Sequence, residues 1–150
     1  MTDAQGSDET TALIHASSVA IDGRGVLLMG GSGAGKSDLA LRLIDRGALL
    51  ISDDYTDCRL RDGQLFAYPP ATIAGKMEVR YLGVVPMPHV HDVPVALAIR
   101  LDDKPLRMPD ETIHIDILGV SLPVFALDAF EGSAPLKTEL ALRHLSVATT

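Results

Sequence analysis

The sequence predicts an α/β domain with a mixed β-sheet and few helices, and three observations predict it. A short apolar run at residues 26–29 leads into a glycine-rich segment, an amphipathic stretch follows at 37–46, and a second apolar run follows at 48–52. This order of strand, loop, helix and strand is typical of a βαβ unit in a sheet covered by helices. Later segments alternate apolar and polar residues as hairpins do, and only two stretches of the chain have helical spacing. With 150 residues, the chain has the length of one domain.

The beginning of the chain separates into a polar leader and two strands. Residues 1–12 are polar and acidic, and we expect a disordered leader there, followed by a single domain at 13–150. Residues with β-branched side chains predict a strand at 13–21, and two glycines predict a turn at 22–25. The run at 26–29 is continuously apolar, which indicates a strand that is buried on both faces.

The remainder of the chain predicts two helices and several strands. Apolar residues of 37–46 share one helical face, and Gly47 is a natural helix stop. The proline-containing segments 86–94 and 102–111 predict loops. The other expected elements are a strand at 48–52, a hairpin at 58–68 that turns at 61–64, strands at 77–85, 95–101, 112–118 and 120–127, and a helix at 134–145.

Composition excludes several classes of function. The formal net charge is −7, and a protein that binds nucleic acid through its backbone phosphates needs a basic face. No apolar run approaches the roughly 18 residues of a membrane span. The single cysteine, Cys58, cannot form a disulfide within the chain and favours a reducing compartment. We therefore expect a cytoplasmic protein that binds neither nucleic acid nor a membrane, with an aliphatic core because the chain has no tryptophan.

One segment matches the phosphate-binding pattern G-x-x-x-x-G-K-[ST]. Its residues are Gly30, Gly31, Ser32, Gly33, Ala34, Gly35, Lys36 and Ser37. Glycines let the backbone turn tightly and point its N–H groups at phosphate oxygens, and the following helix presents its positive end to the same anion. In this pattern the lysine reaches the outer phosphates and the hydroxyl of Ser37 ligates Mg²⁺. The pattern predicts a site for a nucleoside triphosphate, whereas an ordinary flexible glycine loop is the alternative.

Two adjacent carboxylates, Asp53 and Asp54, follow the next predicted strand. Ligands of open α/β sheets bind at the carboxyl ends of strands, so both side chains are expected near the glycine loop. One carboxylate can hold a metal ion while the other accepts a proton from an attacking hydroxyl. The alternative is a pair of turn residues with no chemical role.

These features together resemble a known family. His15, the GGSGAGKS loop, the pair Asp53-Asp54 and the segment MEVRYLGVV at 77–85 are similar to the catalytic domain of HPr kinase/phosphorylase. The resemblance covers about residues 13–145. It implies a P-loop-containing, PEP-carboxykinase-like nucleotide-binding fold. It also implies an ATP- and Mg²⁺-dependent serine kinase that phosphorylates the phosphocarrier HPr, and a homo-oligomer that is hexameric in many members of the family.

The resemblance also implies roles for individual residues. Asp54 would be the general base for the serine hydroxyl, with His15 beside it, and Lys36 would neutralise the transferring phosphoryl group. The metal ligands would be Ser37, Glu78 and Asp53. Two further catalytic arginines would be Arg80 and Arg107. Glu78 and Arg80 would face the same side of one strand, since they are two residues apart.

The chain departs from the family pattern in three places. The N-terminal domain of the family's long form is not recognisable, and in this respect the chain resembles the short proteobacterial form. Tyr81 stands where glycine is usual. The C-terminal loop rich in proline, glycine and arginine, which the family uses for phosphorolysis, is also not recognisable, because no arginine occurs between Val124 and Arg143. We therefore expect the kinase direction to be retained and phosphorolysis to be weak or absent.

Two other functions fit the same residues. The first is a P-loop kinase of another hydroxyl substrate, and the second is a non-enzymatic module that senses nucleotide and acts by binding partners. A general base at Asp54 argues against the sensor, which has no need of one. The segment from Glu78 to Gly83 favours HPr kinase over the other kinase. No N-K-x-D motif follows the glycine loop, which disfavours a GTPase.

Overall fold

The structure, a computed structural model, describes residues 10–102 and 113–148, with side chains in the second range up to residue 145. These residues form eleven strands, two α-helices and one short 3-10 helix. The strands are β1 Thr10–Ile14, β2 Ala16–Ile21, β3 Arg24–Met29, β4 Leu49–Ser52, β5 Thr56–Arg61, β6 Gln64–Tyr68, β7 Lys76–Val79, β8 Gly83–Pro86, β9 Val93–Leu101, β10 Ile113–Ile117 and β11 Val120–Leu127. The helices are α1 Lys36–Asp45, the 3-10 helix Ala71–Ile73 and α2 Ala134–Ala148.

Nine strands form one mixed sheet, which confirms the predicted fold class. Seven of them follow in the order β1-β5-β6-β9-β3-β2-β4, and β11 pairs with β9 and with β10. The pairs β3–β9 and β9–β11 are parallel, and the other pairs of this sheet are antiparallel. β7 and β8 form a separate hairpin. The central strand β3 therefore lies between β2 on one side and β9 on the other.

The unit β3–α1–β4 has the predicted βαβ form. Both strands run antiparallel to β2, so they are parallel to each other with β2 between them. Leu39, Ala40 and Leu43 on one face of α1 are fully buried against the sheet. Since the glycine-rich segment connects β3 to α1, this packing fixes the segment at the carboxyl end of β3.

Two aliphatic clusters, one on each face of the sheet, make up the core. Val26 and Leu28 of β3 belong to the cluster under the helices, whereas Leu27 between them belongs to the other. This confirms that the run at 26–29 is buried on both faces. No aromatic side chain is buried among the described residues, which confirms the expected aliphatic core.

The predicted strand at 13–21 is in fact two strands, and this prediction was wrong. The chain leaves β1, which pairs with β5, and enters β2 at Ala16, which pairs with β3. His15 lies between them as a bend. The strand also begins at Thr10, so residues 10–12 belong to the sheet and not to the expected leader. The reason is pairing: two β-branched threonines meet partners on β5, Thr10 opposite Leu60 and Thr11 opposite Arg59.

The predicted strand at 77–85 is also two strands. It folds into the β7–β8 hairpin through a turn at Arg80, Tyr81 and Leu82, in which the N–H of Leu82 donates to the carbonyl of Val79 at 2.9 Å. Tyr81 adopts a left-handed φ of 73°, which reverses the chain. Arg80 therefore lies in a turn, and the inference that it shares a strand face with Glu78 was wrong.

Other predictions agree closely with the structure. The Asp62-Gly63 turn joins β5 to β6 with both φ angles positive, at 52° and 76°, as a type I′ hairpin turn requires. The predicted helices and the strand at 120–127 are present within a few residues of their expected bounds. Most of the expected loop at 102–111, with Arg107, lies outside the described residues. In the part of the chain that the structure describes, every helix is too short or too polar to cross a membrane.

Candidate active site

The glycine-rich segment closes into a tight loop at the start of α1. The N–H of Ala34 donates to the carbonyl of Gly31 at 3.1 Å, and Gly33 and Gly35 hold left-handed φ angles of 82° and 95°. A Cβ atom on Gly35 would lie 2.8 Å from the Cβ of Ala129, closer than such atoms approach. The position therefore requires glycine both for its backbone angle and for the close contact.

Lys36 lies across this loop with its side chain almost fully buried. Its ammonium group donates to the carbonyl oxygens of Gly30 at 2.8 Å and Gly31 at 3.2 Å. A buried ammonium group needs such partners. The contacts hold a positive charge beside the loop N–H groups and the N-terminal end of α1, an arrangement suited to phosphate.

Asp53 connects four segments of the chain through its carboxylate. Ser37 Oγ donates to Asp53 Oδ1 at 2.7 Å, and Ser17 Oγ donates to the same oxygen at 3.3 Å. The backbone N–H of Glu78 donates to the other oxygen, Oδ2, at 3.0 Å. The residue is only 8% exposed. A phosphate-loop hydroxyl beside a strand-end carboxylate is the pair that holds Mg²⁺ in P-loop proteins.

Asp54, the next residue, faces solvent instead. Its side chain is 56% exposed, and its Oδ1 lies 3.0 Å from Nε2 of His15, a distance at which the ring N–H donates. The imidazole of His15 stacks on Tyr55 with the ring centroids 4.9 Å apart. Asp54 also adopts a left-handed φ of 68°. An oriented, accessible carboxylate next to a metal-type pair is suited to accept a proton.

The sequence did not indicate Ser17, which joins the two aspartates. Its fully buried hydroxyl donates to the carboxylate of Asp53 and accepts from the N–H of Asp54 at 3.0 Å. The available signal was the pair Ser17-Ser18 in an otherwise apolar strand. The role depends on the pairing of β2 with β4, which sequence spacing does not reveal.

The structure brings together most of the predicted site residues, but not all of them. Lys36 and Ser37 end the loop, Asp53 bonds to Ser37, and the adjacent Asp54 contacts His15. Glu78 reaches Asp53 through its backbone while its own side chain is exposed. The guanidinium group of Arg80 is exposed in the hairpin turn, where it lies 5.9 Å from the ring centroid of Tyr81. Arg107 lies outside the described residues.

The described residues also limit what kind of metal the site could hold. They contain no cluster of three or more histidine, cysteine, aspartate or glutamate side chains placed to bind a metal. A hydroxyl and a carboxylate are hard oxygen ligands. Mg²⁺ is commonly held by one or two such protein ligands, with water and substrate phosphates completing its coordination. The Ser37–Asp53 pair therefore fits Mg²⁺ in the presence of a nucleotide.

Fold and site together define an α/β domain with a phosphate-binding P-loop and a strand-end pair of aspartates. Residues 8–134 match the family model of the HPr serine kinase C-terminal domain. The chain belongs to that family, which confirms the resemblance.

Known proteins agree with this assignment. The HPr kinase/phosphorylase of Clostridium tetani is 38% identical over 87 residues, which are 58% of this chain. That of Clostridium beijerinckii is 44% identical over 72 residues, which are 48% of this chain. The matches cover only 28% and 24% of the lengths of these relatives. The solved HPr(Ser) kinase/phosphatase of Coxiella burnetii superposes with a TM-score of 0.80 at 29% identity, over 92% of this chain and 98% of that one.

Proposed function

We propose that this protein uses ATP and Mg²⁺ to phosphorylate a serine of the phosphocarrier HPr. The observation that carries the proposal is the arrangement around the P-loop, where Ser37 binds the buried Asp53 and the exposed Asp54 follows directly. The relatives are named as HPr kinases. A P-loop with a metal-type pair and an adjacent base has the parts that phosphoryl transfer needs.

The loop would bind the triphosphate. Phosphoryl transfer requires that the reactants are positioned and that the charge on the transferred group is neutralised. The loop N–H groups and the N-terminal end of α1 would hold the phosphate oxygens, and Lys36 would exchange its carbonyl partners for the outer phosphates. Mg²⁺, when bound, supplies further positive charge next to the phosphates. Ser37 and Asp53 would hold it, with Glu78 as an additional ligand.

Asp54 would act on the protein substrate. Its carboxylate would accept the proton of the serine hydroxyl as that oxygen attacks the outer phosphorus atom and ADP leaves with the bridging oxygen, and it would return the proton in the reverse reaction. The hydrogen bond from His15 fixes the direction in which the carboxylate points, and stacking on Tyr55 fixes the imidazole. We assign Arg80 and Arg107 to the site as further cations on the family resemblance.

Other features complete the proposal. The protein would act in the cytoplasm as a single domain that includes β1 from Thr10 onward, and as a homo-oligomer, a hexamer by family resemblance, without binding nucleic acid or membrane. Its net charge of −7 supports the exclusion of nucleic acid. The segment after β11 has no arginine before Arg143, which supports weak or absent phosphorolysis.

The direct test is transfer of label from γ-³²P-ATP to purified HPr in the presence of Mg²⁺. The control substrate is HPr in which the target serine is replaced by alanine. We expect label on the unmodified HPr and none on the variant. If the protein binds ATP but labels neither substrate, the proposal is wrong, and a kinase of another hydroxyl substrate or a nucleotide sensor takes its place.

A further inference from the structure

A cavity lies on the other side of the P-loop from the aspartates. It has a volume of about 400 Å³ and lies at the carboxyl ends of β9 and β11. Loop residues 31–34 form one wall, and Leu101, Asp102, Asp128 and Phe130 form the rest. This volume is within the range of roughly 300–1,000 Å³ that is typical of small-molecule sites. None of the predicted catalytic or metal-binding residues lines it, so the proposed phosphoryl transfer does not by itself assign a ligand to this cavity.

Phe130 is the unusual residue of this cavity. The chain contains only three phenylalanines, and this one is 65% exposed. Its ring lies against the P-loop. A Cβ atom added to Gly35 would be only 3.2 Å from the ring carbon Cζ. One part of the ring therefore contacts the loop, and the rest is open to the cavity. An exposed aromatic ring beside a phosphate site is placed as rings that stack on nucleic-acid bases are.

The segment that carries Phe130 is held in place. Arg42 of α1 donates to the carbonyl oxygens on both sides of it, to Ala129 and, at 3.1 Å, to Glu131. The N–H of Phe130 donates to the carboxylate of Asp128 at 3.0 Å. Since Arg42 belongs to the helix that starts in the P-loop, the ring and the loop are fixed relative to each other. Such pre-organisation lowers the cost of binding.

The sheet order indicates which end of a nucleotide would lie here. β3, which leads into the P-loop, has β2 and β4 on one side and β9 and β11 on the other. The metal-type pair and the proposed base lie on the first side, so the outer phosphate belongs there. A nucleotide lying across the loop then extends its nucleoside towards the second side, where the cavity is.

We propose that this cavity binds the nucleoside of the triphosphate, with its base stacked on Phe130. The carboxylate of Asp128 would accept hydrogen bonds from ribose hydroxyls or from N–H groups of the base, since an ionised carboxylate has lone pairs beyond the one that meets Phe130. The inference rests on the proposed nucleotide binding and adds a residue that recognises the base. The phosphate contacts of the P-loop are independent of it.

The test compares two probes by calorimetric titration in the presence of Mg²⁺: ATP, and inorganic tripolyphosphate, which lacks a nucleoside. Phe130→Ala should weaken ATP binding about tenfold, as expected for the loss of one stacked base, and leave tripolyphosphate binding unchanged. Phe130→Trp keeps an aromatic face and should retain ATP affinity. The matched control is Leu140→Ala, which truncates an apolar side chain of α2 with a similar exposure of 55% and should change neither affinity.

The possible results distinguish a failure of base stacking on Phe130 from a failure of the proposed nucleotide binding. Unchanged ATP affinity in Phe130→Ala overturns the stacking role. An equal loss for ATP and tripolyphosphate also overturns it, because the substitution would then have disturbed the P-loop. If the unmodified protein binds tripolyphosphate but gains nothing from the nucleoside of ATP, only this inference fails. If it binds neither probe, the proposed nucleotide binding itself fails.

Discussion

Asp53 and Asp54 are neighbours in the sequence but occupy opposite environments. The carboxylate of Asp53 is buried and accepts three hydrogen bonds, from Ser17, Ser37 and the backbone of Glu78. The carboxylate of Asp54 is more than half exposed and contacts His15. A rigid carboxylate with acceptor capacity beyond three hydrogen bonds is suited to hold a cation, and an accessible one is suited to exchange a proton with a substrate. The different environments support the different roles proposed for the two residues.

Ser17 provides a test of how this pair is positioned. Ser17→Ala removes the hydroxyl that contacts both aspartates, and we expect kcat for phosphoryl transfer to fall about tenfold or more, with a smaller change in KM for ATP, because misplaced reactants cost rate. Ser18→Ala is the matched control, since Ser18 is equally buried but bonds to Thr56 at 2.7 Å.

Ser17→Ala should lose about 1–3 kcal/mol of stability, because it leaves the N–H of Asp54 without the hydroxyl that accepts from it. Ser18→Ala should lose about 0.5–1.5 kcal/mol, because the Thr56 hydroxyl keeps its hydrogen bond to the carbonyl of Ala16. Thermal unfolding measures this loss, and steady-state kinetics of the folded variants measures the rate. Equal rates in Ser17→Ala and Ser18→Ala would show that Ser17 has only a structural role.

Cys58 gives a prediction that does not depend on the site. Burial, assisted by the negative charge of Asp57, raises the pKa of its thiol from 9.0 to about 11. We expect no reaction with a disulfide reagent at pH 8 in the folded protein and full reaction after denaturation. The free energy of unfolding should also decrease as the pH rises from 9 towards 11, because the unfolded chain loses this proton first. Rapid labelling of the folded protein would contradict the burial of this thiol.

Among the secondary-structure elements, the β7–β8 hairpin contains a residue with a strained backbone and an exposed side chain. Tyr81 is 95% exposed and holds a left-handed φ of 73°, an arrangement that costs a non-glycine residue roughly 1–2 kcal/mol. Its exposed ring has few protein contacts that could offset this cost. The neighbouring Leu82 and Val84 are also exposed. The hairpin places the backbone of Glu78 against Asp53, so its stability matters to the site.

Replacing the strained residue should stabilise the hairpin. We expect Tyr81→Gly to raise the free energy of unfolding by up to about 1 kcal/mol, since glycine adopts this angle without steric cost. Leu82→Gly is the control, because Leu82 does not have a positive φ, and it should lower stability. Thermal or urea unfolding of both variants gives the comparison. A loss of stability in Tyr81→Gly would mean that contacts of the ring outweigh the backbone strain.

Sequence patterns predicted the parts of the fold that local rules determine. The P-loop, α1, the Asp62-Gly63 turn and β11 follow from glycine placement, helical spacing and alternation, and all are present. The breaks at His15 and at Tyr81 were missed, because both interrupt stretches that read continuously as strands. They arise from pairing with distant segments and from a left-handed angle at a residue that does not usually adopt one.

In the candidate site, too, local sequence patterns predicted some residues, whereas others reach the site only through the fold. The spacing of the P-loop motif and the position of two aspartates after a strand predicted Lys36, Ser37, Asp53 and Asp54. The contacts of Ser17 and of the Glu78 backbone could not be predicted, because strand order brings them to the site across more than twenty residues of chain. The strand position expected for Arg80 failed for a local reason, which is the left-handed turn at Tyr81.

Because the whole molecule has an acidic net charge, the few positive groups indicate where it could bind phosphate. At a net charge of −7, the proposed phosphate binding would depend on local features: the buried ammonium of Lys36, the loop N–H groups and the end of α1. The sheet order places these features between the two aspartates on one side and the cavity containing Phe130 on the other. One strand end thus organises the proposed chemistry and the proposed recognition of the nucleoside.

The distribution of charge also leads to a prediction about the direction of the reaction. Phosphorolysis needs positive charge to hold inorganic phosphate while it attacks phosphoserine, and the segment after β11 supplies no arginine before Arg143. We expect serine-phosphorylated HPr and phosphate to release pyrophosphate far more slowly than ATP labels HPr. An enzymatic pyrophosphate assay measures the release. Comparable rates in the two directions would contradict this expectation.

In the proposed mechanism, the P-loop binds ATP while Asp54 acts on the serine of HPr. The most direct measurement compares transfer of label from ATP to HPr with ATP affinity in Asp54→Asn and Lys36→Ala. We predict that Asp54→Asn lowers transfer by about a hundredfold or more and leaves ATP affinity unchanged, because the base does not contact the phosphates. Lys36→Ala should lower both. Transfer at the normal rate by Asp54→Asn would show that Asp54 is not the base.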